Sequence, residues 1–522
     1  MKFRALFPLT SALALSLSLG AVASGAPPSG GGPASITAWL PAAGDRIRAA
    51  RARESILEME LAAAKSILDG AGPEDQACSI ERARHDIHAG DYDAAAALLA
   101  RADLARTEEG AGLGDIARGS ARGMAATLTI RDDERGVLIR LQDDDDAALV
   151  PVLADVAVKV RATLIKDLGV ELPRPLRIDL VRDQFTLAAM TGLPEKAAAT
   201  TGTVAVAKWG RVTMISPRAM SRGYPWLDTL AHEMTHLALS RGTRDRAPLW
   251  LQEGVAKHEE TRWRDPQPLD DVPPPETVAL VGMEKGLGRS LDRLGPSIAM
   301  LPTAEEAAVA FAEVHSFIRF WTREVGPDGL PQLVMRLKSA TGPDDVDKAI
   351  AEVSGADLAG WDRRWRKHIA EGPRDLPPDL APAAAMPHAN EIAKRVRLGM
   401  LLDQRGHHQA AAIELGRAQA LVPYDSSVRC FLAAALLGGG DKANASMLVE
   451  KPEDLHNRTG RWWSLHGLLH PEPAASADKA FWYGISLDPF DPFVSCEEKA
   501  PPELPADPLR RALCEMARRA PQ

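Results

Sequence analysis

The residues of this sequence best suited to chemistry are His232-Glu233-Met234-Thr235-His236. On a helix, positions four apart lie on one face about one turn from each other, so two imidazoles can meet one metal ion. The flanking residues predict that helix, because Leu227, Leu230, Ala231, Met234, Leu237 and Ala238 form an apolar set for a core to cover. Zinc takes about four ligands, and a catalytic site keeps one position for water. Two histidines therefore need a third protein ligand. Glu253, 17 residues after His236, is the first candidate. The stretch Gly242–Ala247 reads as a loop, and Pro248 opens a second helix with Trp250 and Leu251 on its apolar side. A helix–loop–helix of this size folds back and presents Glu253 to the first helix, and Gly254 lets the two approach closely. His258 and Glu259 are alternative ligands further along. Glu233 is poorly placed to coordinate from beside His232, but it can accept the proton of an activated water. A purely structural metal site has no use for that carboxylate.

The two segments together carry a resemblance. His232-Glu233-x-x-His236 followed by Pro248-Leu-Trp-Leu-Gln-Glu253-Gly254-Val-Ala256 is similar to the gluzincin metallopeptidases. It resembles in particular the peptidase-MA-like bacterial families, whose second helix reads Trp-Leu-x-Glu-Gly-x-Ala. The resemblance covers about residues 125–370, through the segment Gly355–Trp365. It implies a zincin-like domain, Zn2+ held by His232, His236 and Glu253, Glu233 as general base, and hydrolysis of peptide bonds in a peptide or protein substrate. Such relatives often carry a tyrosine in the helix that here reads Ala310-Phe311-Ala312-Glu313-Val314-His315, where its hydroxyl stabilises the oxyanion. Phe311 has no hydroxyl. His315, about one turn later, and Tyr224, the tyrosine nearest the motif, are the candidate replacements, with zinc itself as the third.

The elements that must position these residues mix strands and helices. Thr127–Ile130 and Gly136–Leu141 are short β-like runs around a polar turn, and Leu176–Val181 alternates like a strand. Thr203–Ala207 and Arg211–Ser216 read as a hairpin closed by Lys208-Trp209-Gly210, and its second strand is expected to offer an open edge to an extended peptide. Ala148–Leu168 has helical spacing. Residues 303–370 read as helical, within a helical subdomain placed at 276–372. Asp143–Asp146 reads as a solvated turn capping the next helix rather than a calcium site. The expected class is α+β: a helical N-terminal segment (44–122), a mixed α/β catalytic domain (123–372), a Pro-rich linker (373–389) and an α-helical domain (390–522). In that last domain Leu398-Gly399, Leu402, Gly406, Ala411, Ala418 and Pro423 resemble tetratricopeptide repeats, which implies a protein partner on a concave face. The alternative is a helical extension that only buttresses the catalytic domain. The linker predicts a tail that can be removed without loss of the zinc domain.

The N-terminus reads as an export signal. Lys2 and Arg4 precede an apolar stretch from Leu6 to Leu19, and Ala21-Val22-Ala23 offers a cleavage site. Residues 1–23 would then be removed and 24–43 would form a linker, leaving no membrane span in a periplasmic or secreted protein. Of four cysteines, Cys496 and Cys514 are the best-placed pair, although four allow three pairings. A net charge of −9 over 522 residues gives no basic footprint for nucleic acid. Two functions compete: an exported zinc metallopeptidase, and a catalytically inert zinc-domain and repeat scaffold that binds proteins in the cell envelope. A zinc hydrolase of some non-peptide amide is a third.

Overall fold

The computed structural model describes residues 13–15, 36–194, 202–220, 223–267, 270–291, 294, 298, 301–375, 388–423, 425–450, 459–491, 493 and 511–513. Its centre is a mixed sheet of β1 (Leu13–Leu15), β2 (Leu128–Asp132), β3 (Val137–Leu141), β4 (Leu176–Val181), β5 (Thr203–Lys208) and β6 (Arg211–Ile215). The spatial order is β1-β5-β6-β4-β3-β2. β2/β3 and β5/β6 are antiparallel, and β1/β5, β3/β4 and β4/β6 are parallel. The β5/β6 turn is Trp209-Gly210, with φ of 58° and 65°. Two successive positive φ values match the twist of a two-residue hairpin, and Gly210 takes its value without strain. Trp209 is held there with its indole edge-on to His88 at 5.9 Å.

The period of two sorts the sheet into unlike faces. Val137, Ile139, Leu141, Ile178, Leu180, Val212 and Met214 point to one side, into the main core. That side is covered by α7 (Val150–Leu168) and α9 (Trp226–Thr243). Their neighbours Arg177, Asp179 and Arg211 point the other way and are buried as well. Arg211 pairs with Asp179 at 3.1 Å. It also donates to Ser120 Oγ and the Met190 carbonyl, at 2.9 and 3.0 Å. Ser120 lies on α6 (Glu108–Met124) and Met190 on α8 (Gln184–Thr191). Arg177 donates to the Trp209 carbonyl at 3.1 Å. A buried arginine needs such partners, since an unpaired one costs several kcal/mol (about 3–5). The N-terminal helices are thus a third layer over the polar face. They begin with α1 (Ile36–Leu57), α2 (Leu61–Asp69), α3 (Gln76–Ala89), α4 (Tyr92–Leu99) and α5 (Ala102–Ala105). Helix α1 starts inside the stretch expected as linker up to residue 43.

Beyond α9 come α10 (Leu249–Glu259), α11 (Pro275–Glu284), α12 (Ala304–Val325), α13 (Gly329–Leu337), α14 (Pro343–Ser354) and α15 (Leu358–Ala370). Edge-to-face rings of Trp250, Phe317 and Trp365 bind α10, α12 and α15 together, with centroids 5.5 and 6.0 Å apart. The tail holds α16 (Ala389–Gln404), α17 (His408–Leu421), α18 (Ser426–Gly438), α19 (Lys442–Leu448), α20 (Gly460–Leu469) and α21 (Ala474–Leu487). It is not set apart, as the linker predicted. Trp226 Nε1 donates to the Ile485 carbonyl at 2.8 Å, and the Tyr224 amide donates to the Leu487 carbonyl at 2.7 Å. The end of α21 therefore supports the start of α9.

The expected open edge also moves. β6 is interior, paired on both sides, so its backbone groups are used. Its neighbour β5 is paired on both sides as well, and the outermost strand on that side is β1, Leu13–Leu15 of the expected export signal. The rest of that signal, and the Cys496–Cys514 pair, lie outside the described residues. Cys78 and Cys430 are buried free thiols. Among the described residues no helix is long and apolar enough to cross a membrane. The carboxylate run is an arginine-bound turn: Arg218 faces Asp143, Asp145 and Asp146, and Asp146 accepts from Ser216 at 2.8 Å.

Candidate metal centre

Helix α9 carries His232, Glu233 and His236, and it is buried along nearly its whole length. It ends where Arg244 and Asp245 take left-handed backbone, with φ of 55° and 57°. Arg244 pairs with Glu58 of the N-terminal layer, which helps to hold a non-glycine residue at positive φ. The chain then reverses through Arg246 and Ala247 into α10. A clamp holds the far end of this helix pair. Asp228, in the first turn of α9, accepts from Arg264 Nε and Nη2 at 2.9 and 2.7 Å and from Trp263 Nε1 at 3.0 Å. Gly254 sets the approach of α10 to α12: a Cβ there would stand 2.7 Å from the Val314 carbonyl oxygen and 2.6 Å from Ile318 Cγ1.

The packing brings His232, His236 and Glu253 together. The Nε2 atoms of the two histidines are 3.1 Å apart. Glu253 Oε2 lies 3.7 Å from His232 Nε2 and 3.6 Å from His236 Nε2. Ligands about 2.0–2.2 Å from a tetrahedral zinc stand roughly 3.3–3.6 Å from one another. The three atoms are therefore spaced for one such ion. Their chemistry also fits: Glu253 is 0% exposed and, among the described residues, neither its oxygens nor those of Glu233 have a hydrogen-bond donor. Buried carboxylates without donors are costly, and a cation satisfies them. Among the described residues no other three His, Cys, Asp or Glu side chains converge in this way.

Burial raises the Glu253 pKa, but the His236 and His232 imidazoles outweigh it and bring it down to about 2. Burial lowers His232, and the Glu253 and Glu260 carboxylates reverse that to about 9. Glu233 is pushed up to about 8, chiefly by burial, with Glu253 adding to the rise and His232 opposing it. His236 is lowered by burial despite Glu253.

The alternative ligands sit elsewhere. Glu259 is buried against Arg262 and Asp167, where burial and then the Asp167 charge raise its pKa to about 8. His258 is lowered to about 4 by burial, with Arg262 adding to it. The two candidate oxyanion residues differ. Tyr224 is buried and its hydroxyl donates to the Ile215 carbonyl, which occupies its only proton. His315 lies 3.9 Å from Asp271 and feels the charges of Lys257 and Glu260, and burial holds its pKa well below the usual range. A neutral imidazole there keeps one N–H to donate. Phe311 is packed in the core.

Glu260 was not legible as a site residue. Its Oε2 is 3.1 Å from His232 Nδ1, while Lys257 pairs with its other oxygen. One signal could have found it: Glu260 is seven residues after Glu253, two helical turns along one face. No protein-family model matches this sequence, and no curated protein is similar to it at a significant level.

Proposed function

We propose that this chain is an exported zinc-dependent metallopeptidase of the gluzincin type, with a zincin-like catalytic domain and a tetratricopeptide-like tail. The observation that carries the reading is the convergence of His232, His236 and Glu253 at zinc-ligand spacing, beside a buried and donor-free Glu233. His232, His236 and Glu253 would hold the zinc, which would supply Lewis acidity toward a carbonyl and lower the pKa of a bound water toward ~7. Glu233 accepts the proton of the attacking water and passes it to the leaving amine. His315 offers a neutral N–H on the α12 side.

Substrate would bind along β5. Export with loss of residues 1–23 strips Leu13–Leu15 from that edge. The exposed N–H and C=O groups can then take an extended peptide as an added strand. β5 packs against α9, so a peptide added at this edge would run beside the helix that carries Glu233. Replacing Glu233 with Gln tests the reading. The variant keeps the shape and all three ligands, so it should stay folded and zinc-loaded while peptide hydrolysis falls by ~10²–10⁴-fold. Equal hydrolysis by the two proteins would defeat the catalytic assignment.

One observation favours a second reading. His232, Glu233 and Glu253 are 0–1% exposed, and the tail is docked on the metal-bearing helix. A closed zinc domain built into a helical scaffold would bind envelope proteins without cleaving them. Metal-loaded protein that hydrolyses nothing across a broad peptide library would favour it.

A further inference from the structure

We propose that Glu260 is the positioning residue for His232: it fixes the imidazole tautomer that turns Nε2 toward the metal, and Lys257 fixes Glu260. The inference rests on the metal-binding reading above and concerns which residues outside the ligand set hold it in register.

Glu260 Oε2 stands 3.1 Å from His232 Nδ1. A carboxylate only accepts hydrogen bonds, so a neutral imidazole facing it carries its proton on Nδ1. Nε2 then holds the free lone pair, and it is Nε2 that lies 3.1 Å from His236 Nε2 and 3.7 Å from Glu253 Oε2. A wrong tautomer would point an N–H at the ion instead. Lys257 pairs with the second Glu260 oxygen, so the carboxylate is held from the side away from the ring. The Glu260 amide donates to the Ala256 carbonyl at 3.0 Å, which keeps the residue on the turn that ends α10. The same helix therefore supplies a ligand, Glu253, and the group that orients another ligand on α9.

The two histidines are held unequally. Among the described residues His236 Nδ1, which is buried, has no hydrogen-bond partner, whereas His232 Nδ1 has Glu260. Outer carboxylates of this kind also raise the basicity of the ligand, and losing one typically lowers metal affinity by about 10–100-fold.

The test uses the full mature protein as wild type, E260A, E260Q and K257M. Zinc affinity is measured by competition with a chromophoric chelator, the visible spectrum of the Co2+-loaded protein reports the ligand geometry, and melting of the metal-free protein reports folding. The expected result is about 10–100-fold weaker zinc binding for E260A with an altered Co2+ spectrum. E260Q should fall between E260A and wild type, because its amide oxygen can still accept from Nδ1. K257M should weaken binding by a smaller factor. E260A binding within twofold of wild type would overturn the role of Glu260 and leave the metal reading intact. Wild type that binds neither zinc nor Co2+ would overturn both. If E260A does not fold, E260Q and K257M decide: wild-type affinity and spectrum in both would overturn the proposal.

Discussion

Gly254 is the residue whose replacement tests the packing of the site without touching its chemistry. An added Cβ would meet the Val314 carbonyl oxygen at 2.7 Å and Ile318 Cγ1 at 2.6 Å. Ile318 can yield, but Val314 contributes backbone of α12. Ordinary contact begins near ~3.5 Å, so α10 must retreat by roughly 0.7 Å or more. Overpacking of this kind costs about 1–3 kcal/mol, against which alanine regains up to ~1 kcal/mol of helix propensity. Gly254→Ala should therefore destabilise the fold by a net ~0–2 kcal/mol in urea unfolding. Its neighbour Glu253 moves with the helix. Metal sites tolerate about ±0.2 Å in ligand distance, so zinc affinity should drop by at least ~10-fold. Gly416, inside α17, is the control. A Cβ there meets nothing within 4 Å, so Gly416→Ala should gain up to ~1 kcal/mol and leave zinc binding alone. Gly254→Ala that unfolds and binds zinc like wild type would refute the argument that this glycine sets the ligand spacing.

Three further outcomes are expected. Replacing His232, His236 or Glu253 singly by Ala should release most of the zinc, read by metal analysis after dialysis, because two protein ligands hold it poorly; full retention in Glu253→Ala would remove it from the ligand set. A chain ending at Gly372 loses the Ile485 and Leu487 acceptors and uncovers Trp226, so its melting temperature and zinc content should both fall, and an unchanged melting curve would show the tail to be dispensable. Glu259 has a folded pKa raised to about 8, so the neutral form is favoured by folding, and that contribution is complete below about pH 4.5 and lost as pH rises through 8. Glu259→Gln should therefore raise the melting temperature relative to wild type at pH 9 and change it little at pH 5, and an equal difference at both would contradict the buried-acid assignment.

The tail shows where reading along the chain reached its limit. Proline-rich residues 373–387 do mark a break in composition, but composition says nothing about whether the next domain docks back. Docking depends on shape and on single acceptors, here the Ile485 and Leu487 carbonyls, which any sequence would carry. The β6 expectation failed for a similar reason. The runs at 203–207 and 211–216 identify strands, but they do not give the strand order, and the order put β6 inside the sheet, between β5 and β4.

What the sequence by itself determined is the chemistry that depends on local periodicity. Positions four apart on α9 put His232 and His236 on one face, and the apolar residues around them made that helix certain to be buried. The strand at 176–181 followed from alternation and those at 128–141 and 203–215 from short β-rich runs, while the hairpin read as closed by Lys208-Trp209-Gly210 turns on Trp209-Gly210, with Lys208 in β5. Tertiary structure alone decided what depends on distances across elements. It placed Glu253 rather than His258 or Glu259 against the histidines, since a helix phase is set only when α10 packs on α9 and α12. It tied the Tyr224 hydroxyl to a carbonyl. It also supplied Glu260, whose hold on His232 spans 28 residues of sequence and arises because the turn ending α10 lies beside α9.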